Sequence, residues 1–327
     1  MKQPTTLFRF RPFQYDHDFR SLEESYLWAS SFTELNDPME AFLRFDSQRD
    51  ALLFNGRPDA IRHREALQKI ISDILPTLSV VCFSTNYNLR MMWGYYANSF
   101  RGACLEYDTS ELMQRSSIGV NKLDIVEYCE APYADFAFSN FREPNEWHQN
   151  YSSRLYLKHN DWLHEQEWRL VGGQEGARYI SDLALKNIHC GPLMSDENKN
   201  KICDLVKNRT TSVFEISFDG YNLKPVLLQQ GKELTSCERV SAKPSWSYND
   251  FGTEAAVSRF FRDNIVLFHD EIENLLSHPN SKELRTIRLA DDRRDQVLCR
   301  IVYQYRNGSE IYRSHLFNAN CQLVDMV

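Results

Sequence analysis

Residues 78–107, LSVVCFSTNYNLRMMWGYYANSFRGACLEY, carry the pattern of strand, short helix and strand on which the fold prediction depends. The run LSVVCF at 78–83 is apolar with little interruption, which is typical of a central strand buried on both faces. Residues 89–98 are rich in methionine and aromatic residues and predict a short helix, and residues 102–107 predict the next strand. We therefore expect a mixed central sheet with helices packed around it.

Alternating stretches on either side of this segment extend the predicted sheet. In residues 7–11, LFRFR, the side chains of Phe8 and Phe10 share one face and those of Arg9 and Arg11 share the other, because side chains alternate along a strand. Further strands are predicted at residues 26–32, 122–133, 165–171, 188–192 and 213–218. Helices are predicted at residues 18–25, 58–76, 151–163 and 195–207, the last with Ser195 as its N-cap. Residues 1–230 form the predicted α/β domain.

The last third of the chain predicts a smaller α+β unit. Residues 231–252 carry serine, lysine, proline and tryptophan and predict a linker. Residues 253–277 have apolar side chains spaced for one long amphipathic helix. A β-meander follows, in which Asn307-Gly308 is a strong two-residue hairpin turn between two alternating strands. The accessory unit is therefore predicted at 253–327, and the fold class of the whole chain is α+β.

Composition limits the class of function. The formal net charge is −7, whereas proteins that bind nucleic acid without sequence preference usually carry a basic surplus. None of the eight cysteines lies in a C-x-x-C pair, so the usual spacing of a structural zinc site is absent and no metal is predicted. No apolar run approaches the ~20 residues of a membrane span, and no apolar signal segment opens the chain. These features predict a cytoplasmic protein with no membrane contact.

Four stretches taken together resemble a known family. They are LFRFRPF with YLWASSFTELNDPME, then VVCFSTNYNLRMMWGYYANSFRGACLEYD, then LKHNDWLHEQEWRLV, and finally IHCGPLMSDENKNKI. The series is similar to the bacterial family named domain of unknown function 2971, over roughly residues 7 to 228. The resemblance implies a shared fold and a role near toxins and phage defence, and it implies little chemistry.

The segment Glu165-Gln166-Glu167-Trp168-Arg169 is the sharpest chemical motif in the chain. On a strand, Glu165, Glu167 and Arg169 would share one face, and two carboxylates so placed repel each other unless something binds them. The motif resembles the acidic motif of ADP-ribosyltransferases, which implies NAD as cofactor. By that resemblance, Glu167 binds the ribose 2′-hydroxyl and stabilises the oxocarbenium-like state as nicotinamide leaves, and Glu165 orients or deprotonates the acceptor.

The same resemblance assigns roles to other positions. Arg9 and Arg11 on the first strand would bind the NAD diphosphate through their guanidinium forks. Ser84, just past a buried strand, would be the third catalytic residue, because ligand sites in open sheets often form where strands end. Tyr95 or Tyr96, on the short helix, would stack on nicotinamide.

Structural roles compete with these assignments. Glu165 and Glu167 fit equally well with a solvated strand face, or with an ion pair to Arg169 or Lys158. Arg9 and Arg11 could simply pair with surface carboxylates. The aromatic cluster around Tyr95 is more often core packing than a cofactor site.

Three functions from different classes follow from the residues. The first is an NAD-using toxin or anti-phage defence effector of the ADP-ribosyltransferase type, with protein, nucleic acid or a small molecule as acceptor. The second is a non-enzymatic sensor or interaction module of a defence or toxin–antitoxin system. In it, residues 253–327 bind a protein partner or antitoxin through basic side chains such as Arg293, Arg294 and Arg300. The third is a nuclease in which Asp37, Glu40 or Glu106 joins the two glutamates around Mg²⁺.

Overall fold

A computed structural model of the chain describes residues 2–39, 69, 73, 77–113, 122–130, 154–251, 254–290 and 295–326. The first eight strands described are β1 (Thr6–Arg11), β2 (Tyr26–Ser31), β3 (Ser79–Ser84), β4 (Ala103–Asp108), β5 (Lys122–Ile125), β6 (Glu127–Cys129), β7 (Leu157–His159) and β8 (Glu167–Val171). The others are β9 (Gly176–Tyr179), β10 (Leu185–Cys190), β11 (Ser212–Asp219), β12 (Asn222–Gln229), β13 (Ser281–Leu289), β14 (Gln296–Gln304), β15 (Glu310–Asn318) and β16 (Leu323–Met326). The α-helices are α1 (Asp16–Glu23), α2 (Arg90–Tyr95), α3 (Thr109–Met113), α4 (Asp196–Val206), α5 (Glu254–Phe261) and α6 (Ile265–Leu276).

A ten-stranded sheet forms the centre of the molecule. Its strands run in the order β12-β11-β10-β4-β1-β3-β2-β9, with β8 on the free edge of β3 and β5 beyond β8. Strands β10 and β11 are parallel, whereas β1 is antiparallel to both β3 and β4. A separate antiparallel sheet, β13 to β16, belongs to the C-terminal part of the chain. The predicted α+β class, with a mixed central sheet and surrounding helices, is therefore confirmed.

Each face of the sheet carries an apolar core, whereas the alternation in β1 predicts one face with Phe8 and Phe10 and an opposite face with Arg9 and Arg11. Leu7 joins the larger core, which includes Phe19 of α1 and Ile202 of α4. Phe8 and Phe10 join the smaller core around Trp93 of α2. Sandwiching a sheet between helices in this way removes both of its apolar faces from water.

Two predicted elements differ from the structure around the acidic motif. The predicted helix at 151–163 is wrong at its C-terminal half, because Leu157–His159 is a strand that pairs in parallel with β6. A 3-10 helix then runs from Asn160 to Glu165, started by the His159 side chain accepting from the Asp161 N–H. The strand predicted from residue 165 begins only at Glu167. Most of the helix predicted at 58–76 lies outside the described residues.

Other local predictions had mixed outcomes. Ser195 is the N-cap of α4, since its hydroxyl accepts from the Asn198 N–H at 3.3 Å. Strands β9 and β12 were not predicted; in β12, which is an edge strand, Pro225 interrupts the pattern expected of a strand.

The helix predicted at 253–277 is two helices. A 3-10 turn at Arg262–Asn264 separates α5 from α6, with Arg262 in the left-handed region at φ 45°. The break lets Phe261 at the end of α5 stack on Phe268 of α6, with ring centroids 4.1 Å apart. The predicted meander is present as β14 and β15, with further strands on either side.

The C-terminal sheet unit is fastened to the central sheet by polar contacts. The Arg306 guanidinium donates to Asp182 Oδ2 through Nε at 2.9 Å and Nη2 at 2.6 Å. The backbone N–H of Asp182 donates to Asn280 Oδ1 at 2.9 Å, and His278 Nε2 lies 3.4 Å from Glu111 Oε2. Arg239, in the segment predicted as a linker, contacts this unit, because its side chain donates to the backbone carbonyl oxygens of Leu276, Ser277 and Ser281.

Gly102→Ala is expected to destabilise the fold. A Cβ at this position would lie 2.1 Å from the Arg11 carbonyl oxygen, and backbone atoms of Ala97 lie 3.0 Å away. Neither contact can be relieved by turning a side chain, so we expect the free energy of unfolding to fall by about 3 kcal/mol in urea denaturation. Gly94→Ala in α2, whose Cβ meets nothing within 4 Å, is the matched control and should be neutral or stabilising. Equal effects at the two glycines would contradict the steric argument.

Candidate functional site

The hydrogen-bonded pairing of the central sheet is interrupted along one edge of strand β3. One edge of β3 pairs with β8 over residues Val80 to Ser84. The other edge is shared, because β1 pairs with it only at Phe8↔Ser84 and β2 only at its opposite end. Among the described strands, none pairs with the middle of that edge. Strands β1 and β2 therefore diverge from β3 and leave a gap in the sheet.

A cavity of about 260 Å³ occupies this gap. Residues from β1, β2, β3, α2, β7 and the 3-10 helix line it. Six of the seven residues singled out from the sequence lie on its wall: Arg9, Arg11, Ser84, Tyr96, Glu165 and Glu167. The seventh, Tyr95, is 57% exposed and packs edge-on against His164, so it does not line the cavity that Tyr96 lines.

The register of the strands explains how Ser84 and Glu167 meet. Ser84 lies between two partners in one row, Phe8 on β1 and Glu167 on β8. Directly opposed residues in antiparallel strands present their side chains on the same face. Ser84 and Glu167 therefore share the face that α2 covers, and Arg9 reaches the cavity from the opposite face through the gap.

Glu165 is held at one end of the cavity by two donors. Lys158 Nζ donates to its Oε2 at 2.6 Å, and the Tyr96 hydroxyl donates to its Oε1 at 2.6 Å. The Asn36 amide in turn donates to the Tyr96 oxygen at 2.7 Å. Burial, together with the Glu165 carboxylate, raises the pKa of Tyr96 above its usual range. Tyr96 therefore stays protonated and remains a donor at physiological pH.

Glu167 is held by three charged contacts. Arg169 donates to Oε1 from Nε at 2.8 Å and to Oε2 from Nη2 at 2.9 Å, and Lys158 Nζ adds a contact to Oε2 at 3.1 Å. Burial alone would raise the pKa of Glu167, but the charges of Arg169 and Lys158 outweigh it and lower the pKa to about 2. Glu167 is therefore an ionised carboxylate in a site of low dielectric constant.

Of the structural roles considered for these glutamates, the ion pair is the one observed. Glu165 and Glu167 are each 3% exposed, so a solvated strand face is wrong. The strand geometry expected for Glu165 is also wrong. Gln166 adopts the left-handed conformation, φ 48° and ψ 52°, which costs roughly 1 kcal/mol for a residue other than glycine. This kink turns the chain so that both carboxylates converge on Lys158.

Two arginines of β1 also line the cavity. Arg9 Nη2 donates across the gap to the carbonyl oxygen of Trp28 at 2.8 Å. Arg11 forms a two-point contact with Oδ1 of the buried Asp18, at 3.0 Å and 2.5 Å. Burial and the neighbouring Arg11 lower the pKa of Arg9 to about 10, so the Arg9 guanidinium is charged at neutral pH. Pairing with a carboxylate, considered from the sequence, is thus observed for Arg11, and that carboxylate is buried rather than on the surface.

The nuclease alternative finds no support in the described residues. Glu106 bonds to Asn187 and His189, and Asp37 accepts from the backbone N–H of Met39. No group of three or more His, Cys, Asp or Glu side chains in the described ranges is placed to hold a metal ion. Glu40 and the basic residues Arg293 and Arg294 lie outside the described residues, whereas Arg300 is exposed on β14. In the same part of the chain, no helix is long and apolar enough to cross a membrane.

Sequence comparison adds a family to this geometry. Residues 92–170 match the DUF2971 family model, described as a protein of unknown function. The resemblance predicted from the sequence is confirmed over these residues. No curated protein and no solved structure matches this chain.

The DUF2971 segment contributes part of the cavity wall. Tyr96, Lys158, Glu165 and Glu167 fall inside the matched residues, so the segment supplies the two convergent carboxylates and their shared cation. Arg9 and Arg11 come from β1, before the match begins. Lys158 and Asn36 complete the site and were not assigned to it from the sequence. Only the closeness of Lys158 to the two glutamates in the chain pointed to a contact.

The pKa of Glu167 predicts how stability depends on acid. Its usual value of 4.5 is lowered to about 2 in the fold, so its stabilising effect is complete above pH 4.5 and is lost as the pH falls toward 2. The whole effect amounts to about 3 kcal/mol. We expect the difference in unfolding free energy between wild type and Glu167→Gln to shrink by that amount across this range, measured by urea denaturation. A difference that does not change with pH would contradict the assignment.

Proposed function

We propose that this chain binds NAD in the cavity and cleaves its bond between nicotinamide and ribose, in the manner of ADP-ribosyltransferases. The observation that carries the proposal is the cavity itself. It brings Arg9 and Arg11, Ser84, and the pair Glu165 and Glu167 together from three distant parts of the sequence. Its wall carries the cations Arg9, Arg11 and Lys158 and the carboxylates Glu34, Glu165 and Glu167, which suits a ligand that carries a diphosphate and develops positive charge elsewhere.

The two convergent carboxylates are suited to the charge that develops during cleavage. As nicotinamide leaves, the ribose C1′ takes on oxocarbenium character, and a fixed negative charge nearby lowers the energy of that state. Glu167 supplies such a charge because its low pKa keeps it ionised and Arg169 keeps it in place. The flat side chains of Phe8, Phe10 and Tyr96 on the cavity wall provide a surface for the nicotinamide ring.

Glu165 is placed to act on the acceptor. Its carboxylate lies beside Glu167 through their common partner Lys158, and Tyr96 fixes its second oxygen. A carboxylate in this position would orient the attacking hydroxyl, amine or water and receive its proton. The Ser84 hydroxyl lies between Glu167 and the β1 end of the cavity and would bind the ribose.

A second candidate is a sensor that binds the nucleotide without cleaving it. The contacts of Glu167 favour this candidate. Arg169 and Lys158 already donate to both carboxylate oxygens, so these oxygens are engaged within the fold. In such a module the carboxylates would be structural and Arg9 and Arg11 would recognise the ligand.

Nicotinamide release from NAD by the purified chain distinguishes the two candidates. We expect turnover by wild type and a loss of at least about 100-fold in kcat for Glu167→Gln. Because this change leaves Arg169 and Lys158 without a partner, Ser84→Ala serves as a second variant outside the ion-pair network, with an expected loss of about tenfold. Glu106→Gln removes a carboxylate of the same sheet that lines no part of the cavity, and it should retain activity.

The outcomes separate the proposals cleanly. Turnover that survives Glu167→Gln would overturn the role of that residue. Thermal stabilisation by NAD with no turnover would favour the sensor. The absence of both thermal stabilisation and turnover would overturn both candidate functions.

The proposed biological role is that of a toxin or anti-phage effector, and it has its own test. Depletion of NAD or modification of a cell component would stop growth of a bacterial host that expresses the chain. We expect growth arrest with wild type and normal growth with Glu167→Gln at equal protein level, and normal growth with both would contradict the role.

A further inference from the structure

A second and larger cavity shares a wall with the first. It measures about 470 Å³ and lies beside helix α1, with residues of β1, β2 and β4 completing its lining. Arg9 and Arg11 line both cavities, so the two spaces meet at this pair of guanidinium groups. At about 260 Å³ the first cavity is below the ~300–1,000 Å³ that is usual for sites of drug-sized ligands, whereas the second falls within that range.

The lining of the second cavity is strongly cationic. Arg9, Arg11 and Arg20 contribute three guanidinium groups, and His17 lies beside them. No carboxylate of the described residues lines this space, and Asp18 lies behind Arg11 with its side chain fully buried. This concentration of positive charge stands out in a chain whose net charge is −7.

Arg20 is the group that the first cavity does not use. Arg20 is exposed and lines this cavity, and its side chain forms no ion pair or hydrogen bond with another described residue. A guanidinium without such a partner among the described residues is available for a two-point contact with a phosphate. The remaining wall includes Tyr26, Trp28 and Tyr107, residue types that commonly pack against a nucleobase.

We propose that the second cavity binds the adenosine diphosphate part of the dinucleotide, with Arg20 as a phosphate-binding residue. The proposal rests on the function proposed above, in which the nicotinamide riboside part occupies the first cavity. A dinucleotide laid across both spaces places its diphosphate at the shared wall, between Arg9 and Arg11. Glu165 and Glu167 line only the first cavity and Arg20 lines only the second, so a dinucleotide that uses these groups must span both spaces.

The electrostatics of the shared wall support this placement. Arg9 and Arg11 repel each other, and burial with the Arg11 charge lowers the pKa of Arg9 even though Asp18 pairs with Arg11. A diphosphate bound between these two like charges would reduce that repulsion.

The test is titration of the full chain with ADP by isothermal calorimetry, which requires no NAD cleavage. We expect ADP to bind wild type, and Arg20→Gln to weaken its binding about tenfold, the usual result of losing a charged hydrogen bond. Arg101→Gln removes an exposed arginine that lines neither cavity and should leave ADP affinity within about twofold. Pyrophosphate and adenosine are titrated separately, and each is expected to bind more weakly than ADP.

The results distinguish a failure of the second site from a failure of the proposed catalytic function. ADP binding that depends on Arg20, without nicotinamide release from NAD, would keep the second site and overturn the proposed catalytic function. Nicotinamide release with no ADP binding, or equal affinity in Arg20→Gln and Arg101→Gln, would overturn the second site and leave the catalytic function standing. Pyrophosphate that binds as tightly as ADP would overturn the adenosine part of the proposal.

Discussion

Arg169→Met is expected to lower the free energy of unfolding by about 3–5 kcal/mol. The Arg169 side chain is fully buried, donates to both oxygens of Glu167, and donates through Nη1 to the Leu155 carbonyl oxygen at 2.9 Å. Methionine fills similar space but leaves the Glu167 charge in the interior without its two-point partner. Urea denaturation followed by circular dichroism at neutral pH measures the loss.

The double variant Glu167→Leu with Arg169→Met is the matched control. Removing both members exchanges an ion pair for apolar packing, which is often neutral in stability, and Lys158 keeps Glu165 as its partner at 2.6 Å. We expect the double variant to recover at least half of the loss caused by Arg169→Met. A double variant that shows the sum of the two single losses would contradict the coupling between these residues.

Trp93→Ala is expected to lower the free energy of unfolding by about 3–5 kcal/mol and to weaken the proposed binding of NAD. Trp93 is fully buried, packs edge-on against Phe10 at 5.4 Å, and donates from its indole nitrogen to the Tyr87 carbonyl oxygen at 2.6 Å. It anchors α2 on the sheet, and the residue after α2 is Tyr96, which holds Glu165. Thermal unfolding with and without NAD measures both effects.

Trp93→Phe separates packing from geometry. Phenylalanine keeps most of the apolar contact and loses the indole hydrogen bond, so we expect a cost of about 1–2 kcal/mol with NAD binding largely kept. If Trp93→Ala destabilised the protein but left NAD affinity unchanged, the anchoring role of this residue would be wrong.

Strand β3 could be predicted because its burial is visible in its own residues: it is buried on both faces, so its apolar run is continuous. Strand β1 could be predicted because Phe8 and Phe10 are buried on one face while Arg9 and Arg11 alternate with them on the other. The break at Arg262 could not be predicted, because the apolar spacing continues through it and the stacking of Phe261 on Phe268 that accompanies it is a contact between two helices. Strand β7 was missed for a similar reason, since its three residues pair only through a partner distant in sequence.

The sequence predicted several members of the candidate site but not its geometry. The resemblance to the acidic motif of ADP-ribosyltransferases suggested Arg9, Ser84 and Glu167, and the cavity includes all three. Lys158 and Asn36 were not assigned to it. The divergence of β1 and β2 from β3 that creates this space depends on pairing between distant segments. No sequence pattern predicts the left-handed backbone conformation of Gln166, because glutamine rarely adopts this conformation without tertiary support.

The buried pair of Glu167 and Arg169 also constrains how this chain can change over evolutionary time. If one residue of the pair is lost or gained before the other, the intermediate protein has an interior charge that lacks its two-point partner. The two positions should therefore vary together among homologues, as arginine with glutamate or as two apolar residues. Such covariation would trace the history of this interior charge in sequences alone, in lineages for which no structure exists.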